Sequence, residues 1–220
     1  MPIKLSSSEA HKILGDKLSF SMKTNKRGCV LRSPDNHANR GMEFERLINE
    51  ANEVYRQKGI AVFTKIPTEF IPIRRNGQMV GAKVTHKSVA DYIGVFKGIP
   101  VAIEAKSTNQ KRISYNDVKP HQEKFLNDWV RTGGRAFVIV SFGLERFFLV
   151  PWDYWGTCIA CWEHRGNPDR KYDNILLEGI SFPINRKASI SADEVPIQFE
   201  VRLNKQNGVL DYICGVEVKT

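Results

Sequence analysis

One predicted β-hairpin constrains the fold of this chain more than any other feature. An apolar, β-branched run covers Tyr92–Phe96, a turn is predicted at Lys97–Pro100, and a second strand covers Val101–Lys106. Side chains of a strand alternate between its two faces, so Glu104 and Lys106 point to the same side. A strand that carries a carboxylate and an ammonium on one face is not built as an ordinary core strand.

A second carboxylate is expected to join this pair. Asp91 precedes Glu104 by 13 residues, and a hairpin brings residues at that separation back together. Two carboxylates hold Mg²⁺ well, together with water and substrate phosphate. The metal activates a bound water, and a neighbouring lysine orients that water or stabilises the transition state. The alternative is a solvated hairpin with an exposed ion pair between Glu104 and Lys106.

Composition indicates a folded chain with a polyanionic partner. The 220 residues are 41% hydrophobic, which excludes wholesale disorder, and they carry a formal net charge of +9. Nucleic acid is the natural partner for such a charge, although a ribosome-like or membrane-surface protein could share it. No run approaches the roughly 20 apolar residues that cross a bilayer. We therefore expect no membrane association and a cytoplasmic location, in a bacterial or phage-infected bacterial cell.

The cysteines are expected to be reduced thiols. Cys158 and Cys161 form a C-x-x-C pair, but neither Cys29 nor Cys214 belongs to a second such pair. The apolar residues around the pair favour two buried thiols over a zinc site.

Residues 1–38 are predicted to form a basic, flexible arm. The first forty residues contain eight basic and three acidic side chains, so more than half of the formal charge lies there. The arm either contacts phosphates or is a solvated tail, and the sequence leaves both readings open.

The order of the remaining elements predicts an α/β fold with a mixed sheet flanked by helices, in a domain of residues 39–164. Residues 165–220 are predicted to be a β-rich C-terminal extension. The predicted helices are Asn39–Gly59, Pro120–Arg131 and Trp152–Glu163, and the predicted strands outside the central hairpin are Ile60–Lys65, Phe70–Arg75, Met79–Val84, Arg135–Ser141, Arg146–Val150, Ile197–Val201 and Tyr212–Val218. A polar loop is predicted for Lys106–Ile113.

Residues 69–88 are predicted to form a projecting hairpin, the stalk, because Asn76-Gly77 lies between two apolar runs. Basic side chains follow these runs, and we expect DNA contacts from Arg74, Arg75, Lys83 and Lys87 in the stalk and from Arg40 at the start of the first helix. The alternative is an edge hairpin whose charges deter aggregation.

The spacing Asp91-x(12)-Glu104-x-Lys106 resembles the PD-(D/E)xK nuclease superfamily. The longer span from Asn39 to Trp162 resembles the RecU family of Holliday junction resolvases from Gram-positive bacteria and their phages. Several segments carry this resemblance in order: Asn39-Arg40-Gly41-Met42, Lys58–Val62, Lys65-Ile66-Pro67-Thr68, Asp91–Gly98, Glu104-Ala105-Lys106, His121-Gln122 and Ala136–Val140.

The resemblance implies a restriction-endonuclease-like fold and a homodimer that cuts four-way and other branched DNA with Mg²⁺, for which Mn²⁺ can substitute. It implies that Asp91 and Glu104 bind metal, that Lys106 assists the water, and that Gln122 completes the metal or water shell. It also makes Glu45 the catalytic carboxylate of the first helix. In one departure, Val89 stands where the family usually has a threonine two residues before its aspartate.

Two other functions stay open at the level of sequence. The chain could be a nuclease of the same fold with broader specificity, or a DNA-binding recombination accessory protein that does not cut. The set of Asp91, Glu104 and Lys106 disfavours the second, because paired carboxylates repel DNA unless a metal lies between them.

Overall fold

The computed structural model describes residues 37–86, 88–166, 173–204 and 207–213, without the side chains of residues 37–40 and 84–86. The predicted arm therefore lies outside the described residues up to residue 36, as do Lys87 and the side chain of Arg40. Within the described residues, no helix is both long and apolar enough to span a bilayer.

Three helices and thirteen strands make up the described fold. The helices are α1 (His37–Gln57), α2 (Pro120–Arg131) and α3 (Trp152–Glu163). The strands are β1 (Ala61–Lys65), β2 (Glu69–Arg75), β3 (Gln78–His86), β4 (Tyr92–Phe96), β5 (Ile99–Thr108), β6 (Arg112–Ser114), β7 (Arg135–Phe142), β8 (Arg146–Pro151), β9 (Asn174–Leu177), β10 (Ile180–Pro183), β11 (Ser189–Ser191), β12 (Glu200–Leu203) and β13 (Leu210–Asp211). Short 3-10 turns occur at Tyr115–Asp117 and Ile197–Phe199.

Seven strands form one mixed sheet in the order β1-β4-β5-β7-β8-β12-β13. β5 and β7 pair in parallel, whereas the other neighbours pair antiparallel. The parallel pair requires a crossover connection, and the segment that contains α2 supplies it. The predicted mixed α/β sheet is therefore confirmed.

Helices cover both faces of this sheet. On one face α1 packs Phe44, Leu47, Ile48 and Tyr55 against apolar side chains of the strands. On the opposite face α2 and α3 form a second core, with Leu126 and Trp155 fully buried. The predicted flanking by helices is thus confirmed, and the central strands β5 and β7 are buried between the two cores. Cys158 and Cys161 are both buried on α3.

The central hairpin has the register that the sequence predicts. Tyr92 pairs with Ile103, so one further step along the ladder sets Asp91 across from Glu104. Gly94 allows β1 to approach closely, because a Cβ atom at this position would lie 2.1 Å from the carbonyl oxygen of Val62. The end of the hairpin is therefore fixed by pairing on both sides.

The stalk hairpin is also confirmed, as β2 paired with β3 through a tight turn. Asn76 and Gly77 have φ angles of 50° and 78°, which suits the turn type that joins two twisted strands. Every residue of β2 is exposed, so the hairpin stands apart from both cores.

Several predicted boundaries differ from the structure. The loop predicted for Lys106–Ile113 begins too early, because β5 continues to Thr108, where it still pairs with Phe142 of β7. The strand predicted for Ile197–Val201 starts as a 3-10 turn, because the Phe199 N–H donates to the carbonyl of Pro196, and β12 follows. Strands β12 and β13 then extend the main sheet. The strand predicted for Tyr212–Val218 starts too late, because β13 is Leu210–Asp211 and Tyr212 and Ile213 follow it; residues 214–218 lie outside the described residues.

Candidate active site

Asp91 lies where three strands meet, immediately before β4. Its N–H donates to the carbonyl of Ile103, and its carbonyl accepts from the N–H of Ile66 at 2.8 Å. Its carboxylate oxygen Oδ2 accepts the N–H of Ala105 at 2.8 Å. These three bonds hold Asp91 beside β5, where it faces Glu104 across the strand pair.

Glu104 is a buried carboxylate on β5, 0% exposed. Its Oε1 accepts hydrogen bonds from Nζ of Lys106 and from Nε2 of Gln122, both at 2.6 Å. Its Oε2 is buried and has no hydrogen-bond partner among the described residues. A buried charged oxygen without a partner is costly, so this atom indicates a missing ligand.

Gln122 is oriented by the start of α2. Its Oε1 accepts the N–H of Lys119 at 3.0 Å, which leaves Nε2 to donate to Glu104. The reverse orientation would place two donors against each other at Lys119. The family resemblance implies a place for Gln122 in the metal or water shell. In this structure its amide oxygen is occupied by the backbone, and its contact with the site runs through Glu104.

The electrostatics of the site favour a bound cation. Burial and the negative charge of Asp91 raise the pKa of Glu104 to about 7, against the lowering effect of Lys106. A divalent cation between the two carboxylates would relieve both causes and would give Oε2 of Glu104 a partner. The described residues contain no group of three or more His, Cys, Asp or Glu side chains that could hold a metal. A metal here would thus use the two carboxylates, with water and substrate oxygens completing its shell.

Glu45 lies on α1, and its carboxylate pairs with Lys65 at the end of β1. Lys65 is paired in register with Tyr92, the residue that follows Asp91. The hydroxyl of Tyr92 donates to Oδ1 of Asn49 at 3.0 Å. Burial and the charges of Glu45 and Asp91 raise the pKa of Tyr92. The catalytic role of Glu45 stays a prediction.

The predicted DNA-binding side chains that the structure describes are on the stalk. Arg74, Arg75 and Lys83 are exposed, and Arg74 and Arg75 pair with Met79 and Gln78 next to the turn. The side chains of Arg40 and Lys87 lie outside the description. Val89, which replaces the family's threonine, is 37% exposed.

Sequence reasoning missed two contributors to the site. The backbone of Lys119 orients Gln122, and the only sequence signal for it was the proline that follows and starts α2. Tyr92, directly after Asp91, is fully buried in the core that α1 covers and donates to Asn49 of α1, which anchors the start of β4.

Comparison with known proteins agrees with this geometry. The family model described as "Recombination protein U" matches residues 39–212. A protein named Holliday junction resolvase RecU from Streptococcus pneumoniae (strain Hungary19A-6) is 36% identical over 138 residues, which cover 59% of this chain and 70% of the relative. The namesake from S. pneumoniae serotype 19F (strain G54) is 36% identical over 134 residues, covering 57% of this chain and 68% of the relative.

Among solved structures, the Holliday junction resolvase Hjc of Archaeoglobus fulgidus matches 51% of this chain and 78% of its own, with a TM-score of 0.35 and 17% identity. The matched family model spans most of the chain, including the hairpin, α2 and the strands that surround the site. The chain therefore belongs to the RecU family.

Proposed function

We propose that this protein is an endonuclease that resolves four-way DNA junctions by phosphodiester hydrolysis during recombination. The observation that carries the proposal is the cluster of Asp91, Glu104 and Lys106, in which a buried carboxylate oxygen lacks a partner. Membership of the RecU family supports it, because the relatives are named Holliday junction resolvases. The net charge of +9 suits a DNA substrate.

Asp91 and Glu104 would hold a divalent cation, which we propose to be Mg²⁺ with Mn²⁺ as a substitute. When bound, such a cation activates water and neutralises charge on the phosphoryl group. The chain's own residues prepare the place for it. The backbone N–H of Ala105 fixes Asp91, and Gln122 fixes Glu104 through the start of α2.

Lys106 would act on the phosphate itself. Its ammonium lies 2.6 Å from Oε1 of Glu104 and keeps partial exposure, with 18% of the side chain accessible. From there it can face a substrate oxygen while Glu104 holds it in place. A preorganised cation at the position where negative charge develops lowers the barrier of phosphodiester hydrolysis.

Two symmetric cuts require two active sites, so we propose that the protein acts as a homodimer. Apolar side chains are exposed on the neighbouring strands β1 and β4, at Val62 and Val95, and on the stalk, at Phe70, Ile71 and Ile73. A second copy of the chain would cover such surfaces. Its place of action would be the cytoplasm of a bacterial or phage-infected bacterial cell, where recombining DNA is found.

The stalk would enter the open centre of the junction. Arg74, Arg75 and Lys83 are exposed on a hairpin that stands apart from the cores. In this position they could contact phosphates of several arms, whereas a linear duplex offers no central opening. We propose that Arg40 and Lys87 add further contacts to DNA phosphates.

A cleavage assay on a synthetic four-way junction and on a linear duplex, with and without Mg²⁺, tests the proposal. We expect paired nicks in the junction only when Mg²⁺ is present, and little cutting of the duplex. Equal cutting of both DNAs would instead identify a nuclease of broader specificity. Binding without any cutting would identify an accessory protein.

A further inference from the structure

A polar groove of about 500 Å³ extends from the site along the end of β5 to the start of α2. Lys106 and Lys119 both line it, so the groove includes the proposed catalytic lysine. All of its lining residues except Ile113 have polar side chains: Lys106, Ser107, Thr108, Gln110, Arg112, Ile113, Ser114, Asp117 and Lys119. Neither the metal nor the junction-centre contacts proposed above use this groove.

The charge of the groove suits an anion. Three cationic side chains line it, at Lys106, Arg112 and Lys119, together with the carboxylate of Asp117. Lys106 and Arg112 also pair with Glu104 and Glu194, which do not line the groove, so Lys119 supplies the cation that no carboxylate pairs among the described residues. Lys119 is exposed, and its Nζ donates to the carbonyl of Asn116 at 3.0 Å. That bond keeps the ammonium near the groove without neutralising it, because the acceptor is an uncharged carbonyl.

The position of Arg112 is fixed by a distant part of the chain. Its Nε donates to Oγ of Ser189 at 2.8 Å, and its Nη2 donates to Oε2 of Glu194 at 2.7 Å. The hydrogen bond from Arg112 to Glu194 is the main reason that the pKa of Glu194 falls to about 2, so this pair stays charged at neutral pH. Among the described residues, the contacts engage Nε and Nη2 and leave Nη1 for a ligand.

Packing reinforces this arrangement. β6 pairs with β11, and Ile113 faces Ile190 across the pair, with 2% and 1% of their surfaces exposed. The groove wall is therefore built by contacts between residues more than seventy positions apart. The C-terminal part of the chain therefore holds this wall of the groove in place.

We propose that this groove binds one backbone phosphate of the cleaved DNA strand, adjacent to the scissile phosphate at Lys106. Lys119 supplies the exposed cation and Arg112 the fixed one. The assignment rests on the proposed function for the identity of the ligand, because a strand whose scissile phosphate lies at Lys106 continues along this groove. The contact is made to the phosphate, so it does not depend on base sequence.

The first test measures junction binding without divalent cation, at several salt concentrations, for Lys119→Ala and for its control Lys124→Ala. Lys124 is on α2, which begins directly after Lys119, but it pairs with Asp128 outside the groove. We expect Lys119→Ala to weaken binding several-fold and to reduce the slope of log K against log salt by about 1. Lys119→Arg should restore both values, and Asp117→Asn should tighten binding.

A second test uses junctions with a neutral methylphosphonate at single positions around the cut. The wild type should bind the junction more weakly when the methylphosphonate stands at one position next to the cut. Lys119→Ala should bind that modified junction as well as it binds the unmodified one. Additive losses, or equal losses for Lys119→Ala and Lys124→Ala, would overturn the assignment. These binding measurements need no cleavage. A wild type that fails to cut junctions would therefore contradict the proposed function without deciding whether the groove binds a phosphate.

Discussion

The side-chain nitrogen of Gln122 donates to Oε1 of Glu104 at 2.6 Å, while its oxygen accepts the backbone N–H of Lys119. One amide therefore links the start of α2 to the buried carboxylate of β5. This geometry uses Oε1 of Glu104 and leaves its Oε2 without a partner among the described residues. The start of α2 thus positions Glu104 through Gln122, and Gln122 does not need to contact a metal for this role.

Replacing Gln122 with Glu should separate these two roles of the amide. The new carboxylate can still accept from Lys119, but it cannot donate to Glu104 and adds a like charge beside it. We expect the pKa of Glu104 to rise and the pH profile of single-turnover cleavage to shift upward. Gln122→Ala should also destabilise the fold by about 1 kcal/mol, because the N–H of Lys119 loses its partner. An unchanged pH profile in Gln122→Glu would contradict the positioning role.

Replacing Lys106 with Ala should greatly reduce the rate of cleavage while metal binding persists. The loss of one preorganised electrostatic group typically costs about 10²–10³ in rate. Lys111→Ala is the matched control, because Lys111 is an exposed lysine of the following loop that does not line the groove. Single-turnover rates and a metal titration would measure both effects. A rate loss below about tenfold would make Lys106 a mere surface partner of Glu104.

The raised pKa of Glu104 predicts how pH affects stability. The pKa of about 7 exceeds the ordinary value of 4.5, so the folded, metal-free protein holds this proton more tightly than the unfolded chain. The stabilisation from this group is full below the ordinary pKa and is lost as pH rises through about 7.

Metal binding should have the opposite dependence, because a cation must displace that proton. We therefore expect Mg²⁺ to raise the Tm more at about pH 8 than at about pH 6. Thermal denaturation with and without Mg²⁺ measures this difference, and Glu104→Gln should abolish it. An equal rise in Tm at both pH values would argue against Glu104 as a metal ligand.

Shortening the stalk tests its role in junction recognition. Replacing Arg74–Lys83 with a two-residue turn should weaken junction binding much more than duplex binding, and it leaves Asp91 and Glu104 intact. A variant with Gln at Arg74, Arg75 and Lys83 keeps the hairpin and removes only charge. Equal loss for both DNAs would reduce the stalk to a general phosphate contact, and no loss would leave only protection of a sheet edge.

The sequence predicted the parts of the site that depend on local structure. The spacing of Asp91 and Glu104 follows from hairpin register, since a short turn fixes which residues pair. No sequence pattern indicates β6 and β11, because three-residue strands are too short to show alternation and the two strands lie more than seventy residues apart. The pairing of Glu45 with Lys65 was missed for a similar reason, since it depends on how α1 lies over the edge of the sheet.

The most direct test of the proposed site is single-turnover cleavage of a synthetic four-way junction by Asp91→Asn in the presence of Mg²⁺. The asparagine can still accept the N–H of Ala105, so the fold should be retained, whereas a negative metal ligand is lost. We expect no cleavage, with junction binding equal to that of the wild type or tighter, because a negative charge beside the phosphates is gone. Cleavage by Asp91→Asn at a rate near that of the wild type would contradict the assignment of the metal site.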